Sequence, residues 1–364
     1  MTRFLSDLAA GLEPYTPGEQ PKDKKYIKLN TNENPYPPSE SVMFAIEDEM
    51  TNLRLYPDPD ASLTRKAAAD YYNKSLNLQG DGALTEKNIF IGNGSDEVLA
   101  LIFPAFFKGK KIAYADITYS FYPVYCAFYE VDYKLIPLRN DFSIDVEEYC
   151  TGLDEDIKGI LLCNPNAPTS WALTHDEVER IVASNPDRLV AVDEAYVDFG
   201  TESVVDIINK YDNLLVCQTL SKSRQLAGMR VGLAIGSQAL IDGLNAVKNS
   251  FNSYTADRLA IVAGAAAFED ADYFDETRKK IISTRERTVE ELSALGFDII
   301  PPSANFIFAK PPAHVKAADL FGQLREKGIL VRYFAKPRID DRLRISIGTD
   351  EEMDALISAI KELI

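Results

Sequence analysis

Seven short apolar runs alternate with stretches of helical periodicity through the middle of the chain. They span Asn88 to Gly92, Lys111 to Ala115, Tyr133 to Leu138, Lys158 to Cys163, Leu189 to Asp193, Leu214 to Thr219 and Val231 to Ile235. Apolar runs this short, separated by helix-length segments, predict a mainly parallel sheet with helices on both faces, an α/β fold class. Upstream, the first 60 residues are rich in Pro, Asn and charge and read as an irregular arm, with a helical pattern beginning at Ala61. Downstream, helical stretches with charged faces run from Ala256 to about Leu295. Alternation then returns in Asn305-Phe306-Ile307-Phe308, Ile329-Leu330-Val331-Arg332 and Leu343-Arg344-Ile345-Ser346-Ile347, the pattern of a smaller α+β domain. The expected division is an arm over residues 1–50 that joins the small domain, a large domain over 51–255 and a small domain over 256–364. No Gly/Pro-rich linker marks the break near 255.

Two of the runs end in reactive side chains. Leu214-Leu215-Val216-Cys217 leads into Thr219-Leu220-Ser221-Lys222, with Arg230 and Gly232 following within one short loop. Leu189-Val190-Ala191-Val192 leads into Asp193-Glu194-Ala195-Tyr196. Strand ends that deliver an acid and a lysine to one ligand suit a carbonyl cofactor held as a Schiff base, and each residue meets a requirement of pyridoxal phosphate. Lys222 would bond the aldehyde. Asp193 would keep a proton on the pyridine nitrogen, so that the ring remains an electron sink. Tyr196 would donate to the phenolic oxygen, while Ser221 and the planar fork of Arg230 would bind the phosphate. A lysine after a strand is ordinarily a solvated loop charge, and Asp-Glu there is often a helix N-cap. The order and spacing of the whole set carry the argument.

Gly92-Asn93-Gly94-Ser95-Asp96-Glu97 follows a strand and opens an apolar helix. Its glycines allow close backbone approach, and the free N–H groups at the helix start, around Ser95 and Asp96, would receive a phosphate. The same string is also a good capping sequence. Tyr119, in Thr118-Tyr119-Ser120-Phe121-Tyr122, would stack on the pyridine face, against the plain alternative of a core aromatic in a chain with 18 tyrosines.

Composition narrows the partners. A chain of 364 residues can build two domains with a substantial core. Its net charge of −17 argues against nucleic acid and against an anionic membrane surface, since either needs a basic face. A phosphate-ester substrate would require positive charge concentrated locally. The cysteines Cys126, Cys150, Cys163 and Cys217 show no C-x-x-C spacing and read as reduced thiols of a cytoplasmic protein. His175 and His314 are the only histidines, which argues against a histidine-rich metal site or a Ser-His-Asp triad. With no apolar leader after Met1 and no apolar run of ~18 residues, the chain reads as neither secreted nor membrane-spanning.

Taken together, these blocks resemble the fold-type I pyridoxal-phosphate aminotransferases and, within them, the histidinol-phosphate aminotransferase family. The resemblance covers nearly the whole chain. It runs from Leu29-Asn30-Thr31-Asn32-Glu33-Asn34-Pro35 and Leu55-Tyr56-Pro57-Asp58, through Asn164-Pro165-Asn166-Ala167-Pro168-Thr169 and the aspartate and lysine blocks. It closes with Gly328-Ile329-Leu330-Val331-Arg332 and Leu343-Arg344-Ile345-Ser346-Ile347-Gly348-Thr349. It implies a large domain built on a mainly parallel seven-stranded sheet, with a smaller α+β domain beside it. It also implies a homodimer in which Tyr56 reaches the cofactor phosphate of the partner subunit. Arg344 would hold the substrate carboxylate, and Arg332, with the arm residue Tyr36, would receive a substrate phosphate. One block departs from the pattern: Ala167 stands where such aminotransferases usually place an Asn before Pro-Thr-Gly, and Ser170 replaces the glycine. Asn166 or Asn164 is then the candidate amide for the phenolic oxygen.

The implied reaction is a ping-pong transamination with L-glutamate as amino donor, in which the amine of Lys222 shuttles the Cα proton. The implied oxo partner is imidazole-acetol phosphate, converted to L-histidinol phosphate. An aromatic-amino-acid transaminase and a threonine-phosphate decarboxylase share the cofactor site and stay open. A cofactor-binding regulator without turnover is disfavoured by the retained Lys222, Asp193 and both arginines. A nicotinamide dehydrogenase lacks the third glycine of its fingerprint at Gly92-Asn93-Gly94.

Overall fold

The computed structural model describes residues 3–364. All seven runs are strands of one sheet, in the order Ile89–Asn93, Val231–Gly236, Leu214–Thr219, Leu189–Asp193, Ile157–Cys163, Lys111–Ala115, Asp132–Ile136. Val231–Gly236 is antiparallel to both of its neighbours, and the rest of the sheet runs one way. Side chains sort by the strand period of two onto separate cores. Ile89, Ile91, Val190, Val192, Leu214 and Val216 pack on one face, and Phe90, Ala191, Leu215 and Cys217 on the other. Because helices cover both faces, the strands read as continuous apolar runs instead of alternating ones.

A second, antiparallel sheet forms the small C-terminal unit, ordered Arg332–Tyr333, Leu343–Ser346, Phe306–Lys310, Asp298–Ile299. The arm reaches it directly: Ile27–Lys28 pairs in parallel with Ile329–Leu330. From there Leu29–Asn34 runs between the two sheets, with the Leu29 carbonyl accepting from Ser346 N at 2.9 Å.

The arm is less irregular than its composition suggests. Glu40–Glu49 is a helix whose N-cap, Ser39, accepts from Val42 N. Only Val42 is fully buried on it, while Met43 and Phe44 face outward, so no apolar stripe marks it in the sequence. The helix Arg258–Glu269, just past residue 255, packs on Glu40–Glu49 and on Ser62–Ser75. There Thr64 Oγ1 donates to the Ile261 carbonyl at 2.7 Å, and the helix's alanines join the core beneath the large sheet.

Candidate active site

The C-terminal ends of the strands Leu189–Asp193 and Leu214–Thr219 lie side by side, with Asp193 in register with Cys217. Ligands of open α/β sheets bind beyond such strand ends. A cavity of about 440 Å³ opens there, lined among others by Ser95, Asp96, Tyr119, Asp193, Tyr196, Ser221, Lys222, Arg230, Arg332 and Arg344. Ten of the thirteen residues singled out from sequence therefore share one wall system; Asn166, Tyr36 and Tyr56 do not.

At the cavity floor Asp193 is only 4 % exposed. Its carboxylate accepts from the Tyr122 hydroxyl at 2.8 Å and from Ala195 N at 3.2 Å. Burial pushes it up to about 6. A buried carboxylate with two neutral donors and no cation is one positive partner short, and a protonated ring nitrogen would supply it. Lys222 Nζ sits 5.8 Å from the Tyr196 ring centroid and donates to the Thr31 carbonyl at 3.3 Å. Burial, with the Arg344 guanidinium beside it, brings its ammonium down to about 8. An amine so tuned is available as a nucleophile and base near neutral pH.

The opposite end is built for an anion. The helix Ser95–Ile102 begins at the cavity with no side chain capping it, and its first-turn N–H groups have no helical acceptor. Gly94 adopts φ 83, where an added Cβ would run into Arg230, and a Cβ on Gly232 would collide with Gly94 and Ser95 N. The two glycines thus let the strand Val231–Gly236 lie close against the helix start. Arg230, itself in the left-handed region at φ 55, places Nη1 3.4 Å from Ser221 Oγ and Nη2 3.4 Å from Asp96 Oδ2. Asp96 also accepts the Tyr119 hydroxyl at 2.8 Å, fixing that ring at the cavity wall. An acid at one end, an amine in the middle and an N–H/guanidinium cradle at the other fit a phosphorylated pyridine aldehyde.

Arg332 and Arg344 are register partners on adjacent antiparallel strands, so they project from the same face of the small sheet. Arg344 Nη2 donates to the Asn30 carbonyl at 2.9 Å, and Arg332 Nη2 donates to the Thr16 carbonyl at 3.2 Å. Neither has an acidic partner among the described residues, in a chain whose acids outnumber its bases 56 to 39.

Two expectations need correction. Asn166 faces away from the cavity: its Nδ2 donates to the Ile117 carbonyl and to Thr169 Oγ1, both at 2.9 Å, while Asn164 is spent on Leu173. The amide that meets the Tyr196 hydroxyl belongs to Asn32, whose Nδ2 donates to it at 3.0 Å. Tyr36 packs outside the cavity, with Lys280 over its ring at 5.6 Å. The arm tyrosine on the cavity wall is Tyr15, its ring 4.8 Å from that of Phe121. Arg338, near Arg332 in sequence, donates to Asp116 Oδ2 at 2.8 Å, away from the cavity's arginine pair. Tyr122, in the same short block as Tyr119, is a site residue that no sequence pattern marked; its hydroxyl meets Asp193. Tyr56 lies outside its own chain's cavity, 79 % exposed and stacked on Tyr254 at 4.9 Å.

The profile of the class I and II aminotransferases matches residues 24–360, and the chain belongs to that family. It is 54% identical over 365 residues to histidinol-phosphate aminotransferase 1 of Bordetella parapertussis, covering 100% of this chain and 99% of the relative. It is 50% identical over 366 residues to the Clostridium acetobutylicum histidinol-phosphate aminotransferase, covering all of both chains. Within the class, its place is among the histidinol-phosphate aminotransferases. The fold matches that of the Sinorhizobium meliloti histidinol-phosphate aminotransferase solved with pyridoxal-5′-phosphate. That match has a TM-score of 0.87 at 22% identity, over 100% of this chain and 99% of that one. It also matches a Thermus thermophilus aspartate aminotransferase single mutant, with a TM-score of 0.83 at 18% identity over the full length of both.

Proposed function

We propose that this enzyme is a pyridoxal-phosphate aminotransferase that exchanges the amino group of L-histidinol phosphate with 2-oxoglutarate. The products are imidazole-acetol phosphate and L-glutamate, a step of histidine biosynthesis. The observation that carries the substrate reading is the pair of acid-free arginines, Arg332 and Arg344, on one cavity wall. Two anion receptors suit a pair of substrates that bear a phosphate in one case and carboxylates in the other.

Bound pyridoxal 5′-phosphate supplies the electron sink that stabilises a carbanion at the substrate Cα. Asp193, its carboxylate fixed by Tyr122 and Ala195 N, would hold the proton on the ring nitrogen. The N–H groups of Ser95 and Asp96, with Ser221 and Arg230, would hold the phosphate, and Tyr119 would lie against the ring. The neutral amine of Lys222 would serve as the base that takes the proton from the substrate Cα and, once protonated, as the acid that returns it on the cofactor side. Arg344 receives the glutamate carboxylate, and Arg332 with Tyr15 receives the substrate phosphate.

The working unit is a homodimer, with Tyr56 reaching the partner's phosphate site. Its exposure supports this, as do Met43, Phe44, Met50, Leu53, Leu55, Phe251 and Tyr254, all large apolar side chains left facing solvent. No helix among the described residues is long and apolar enough to cross a membrane, and we place the enzyme in the cytoplasm.

The test is a panel of amino donors with 2-oxoglutarate: histidinol phosphate, phenylalanine, tyrosine and threonine phosphate. Histidinol phosphate should give the highest kcat/KM. A higher value for an aromatic amino acid, or decarboxylation of threonine phosphate, would overturn the reading.

A further inference from the structure

We propose that Asn32 is a positioning residue for the reaction. Its amide aims the Tyr196 hydroxyl proton into the cavity and ties that hydroxyl to the small domain. The proposal rests on the reading of Tyr196 as donor to the cofactor's phenolic oxygen.

Asn32 is 1 % exposed and committed at every polar atom. Nδ2 donates to the Tyr196 hydroxyl at 3.0 Å. Oδ1 accepts from Ser346 Oγ at 3.0 Å, while the Asn32 N–H donates to the same Oγ at 2.8 Å. Its carbonyl accepts from Asn305 Nδ2 at 3.0 Å. Ser346 and Asn305 belong to the small antiparallel sheet and its approach, and Tyr196 to the large domain. One arm residue therefore bridges the two across the cavity rim. Its backbone sits at φ 55. Asn tolerates that left-handed conformation far better than most side chains, and Gly, which tolerates it fully, carries no amide.

The direction of the bond matters. A tyrosine hydroxyl has one proton to give, and an amide N–H pointing at its oxygen can only be accepted. With that bond in place, the hydroxyl proton is free to point at a cavity ligand. A hydroxyl that accepts is also the stronger donor, because bonds in a chain polarise one another. Where the resemblance expects an amide, Ala167 and Pro168 line the cavity instead, and Asn166 is turned away. Asn32 thus strengthens the stabilisation of negative charge on the phenolic oxygen. This in turn lowers the proton affinity of the nitrogen that joins Lys222 to the cofactor.

The test is a spectrophotometric pH titration of the cofactor-loaded protein and four variants: Asn32→Gly, Asn32→Asp, Tyr196→Phe and the double Asn32→Gly/Tyr196→Phe. Asn32→Gly keeps the backbone unstrained. Asn32→Asp keeps side-chain shape and the Ser346 contact but loses the N–H, so it decides the question if the glycine variant folds poorly. Both should raise the midpoint of the visible transition by roughly half a pH unit, about a threefold change in proton affinity. In the Tyr196→Phe background, Asn32→Gly should add nothing. Unmoved midpoints in both single variants, or an equal rise without the hydroxyl, would overturn the assignment of Asn32. A wild-type protein with no visible transition would instead overturn the cofactor reading on which it rests.

Discussion

A partly buried lysine amine costs the cofactor-free fold stability, and that cost has a predictable pH dependence. Lys222 titrates near 8 in the folded protein, against about 10.4 in an unfolded chain. At ~1.4 kcal/mol per tenfold in proton affinity, the gap of roughly 2.4 corresponds to about 3 kcal/mol; water in the open cavity screens part of it, leaving about 2 kcal/mol. Below pH 8 the amine is charged in both states and the whole cost is present. Between about 8 and 10.4 the unfolded chain holds a proton that the folded one does not, so stability rises with pH. Above that window the cost is gone. Lys222→Met, which keeps length and removes the charge, should therefore stabilise the cofactor-free protein by about 2 kcal/mol at pH 7. The advantage should shrink towards zero by pH 10. Urea unfolding of both proteins at pH 7, 8.5 and 10 measures the difference directly. A variant no more stable than wild type at pH 7, or an advantage independent of pH, would mean that Lys222 is solvated and not tuned as a base.

Two further substitutions probe the cavity's ends. Arg332→Ala should cost the phosphorylated substrate ~2 kcal/mol or more in kcat/KM, roughly 30-fold, while the glutamate half-reaction suffers much less. Arg344→Ala should show the opposite bias, and equal losses for both substrates in Arg332→Ala would remove the case for a phosphate ester. Asp193→Asn keeps the shape but not the charge, and single-turnover kinetics should show a loss of at least ~10²-fold; near-normal turnover would make the carboxylate a structural cap.

The large sheet was fully legible because its strands are buried on both faces, which leaves seven continuous apolar runs with clear ends. The reactive residues at those ends were legible for the same reason: a strand end fixes where Asp193 and Lys222 must lie. The arm was not. Asn32, Tyr15 and Tyr36 sit in irregular chain whose path is set by long-range bonds, such as Asn32 to Ser346 and Arg332 to Thr16, which leave no periodicity in the sequence. Tyr36 stands beside the recognisable arm block, whereas Tyr15 lies further upstream in Pro-rich chain with no pattern to mark it. Asn166 misled because nearness in sequence to Pro168 says nothing about which way an amide turns. The helix Glu40–Glu49 escaped notice because its apolar residues are divided between a buried and an outward face.

The claim that the cofactor is carried by Lys222, between the Asp193 and Arg230 ends of one cavity, is tested most directly by borohydride reduction of the loaded protein followed by peptide mapping. The cofactor should be fixed on the peptide containing Lys222, at about one equivalent per chain, with the visible absorbance lost in step. Fixation on any other lysine, or loss of the absorbance with no labelled peptide, would contradict it.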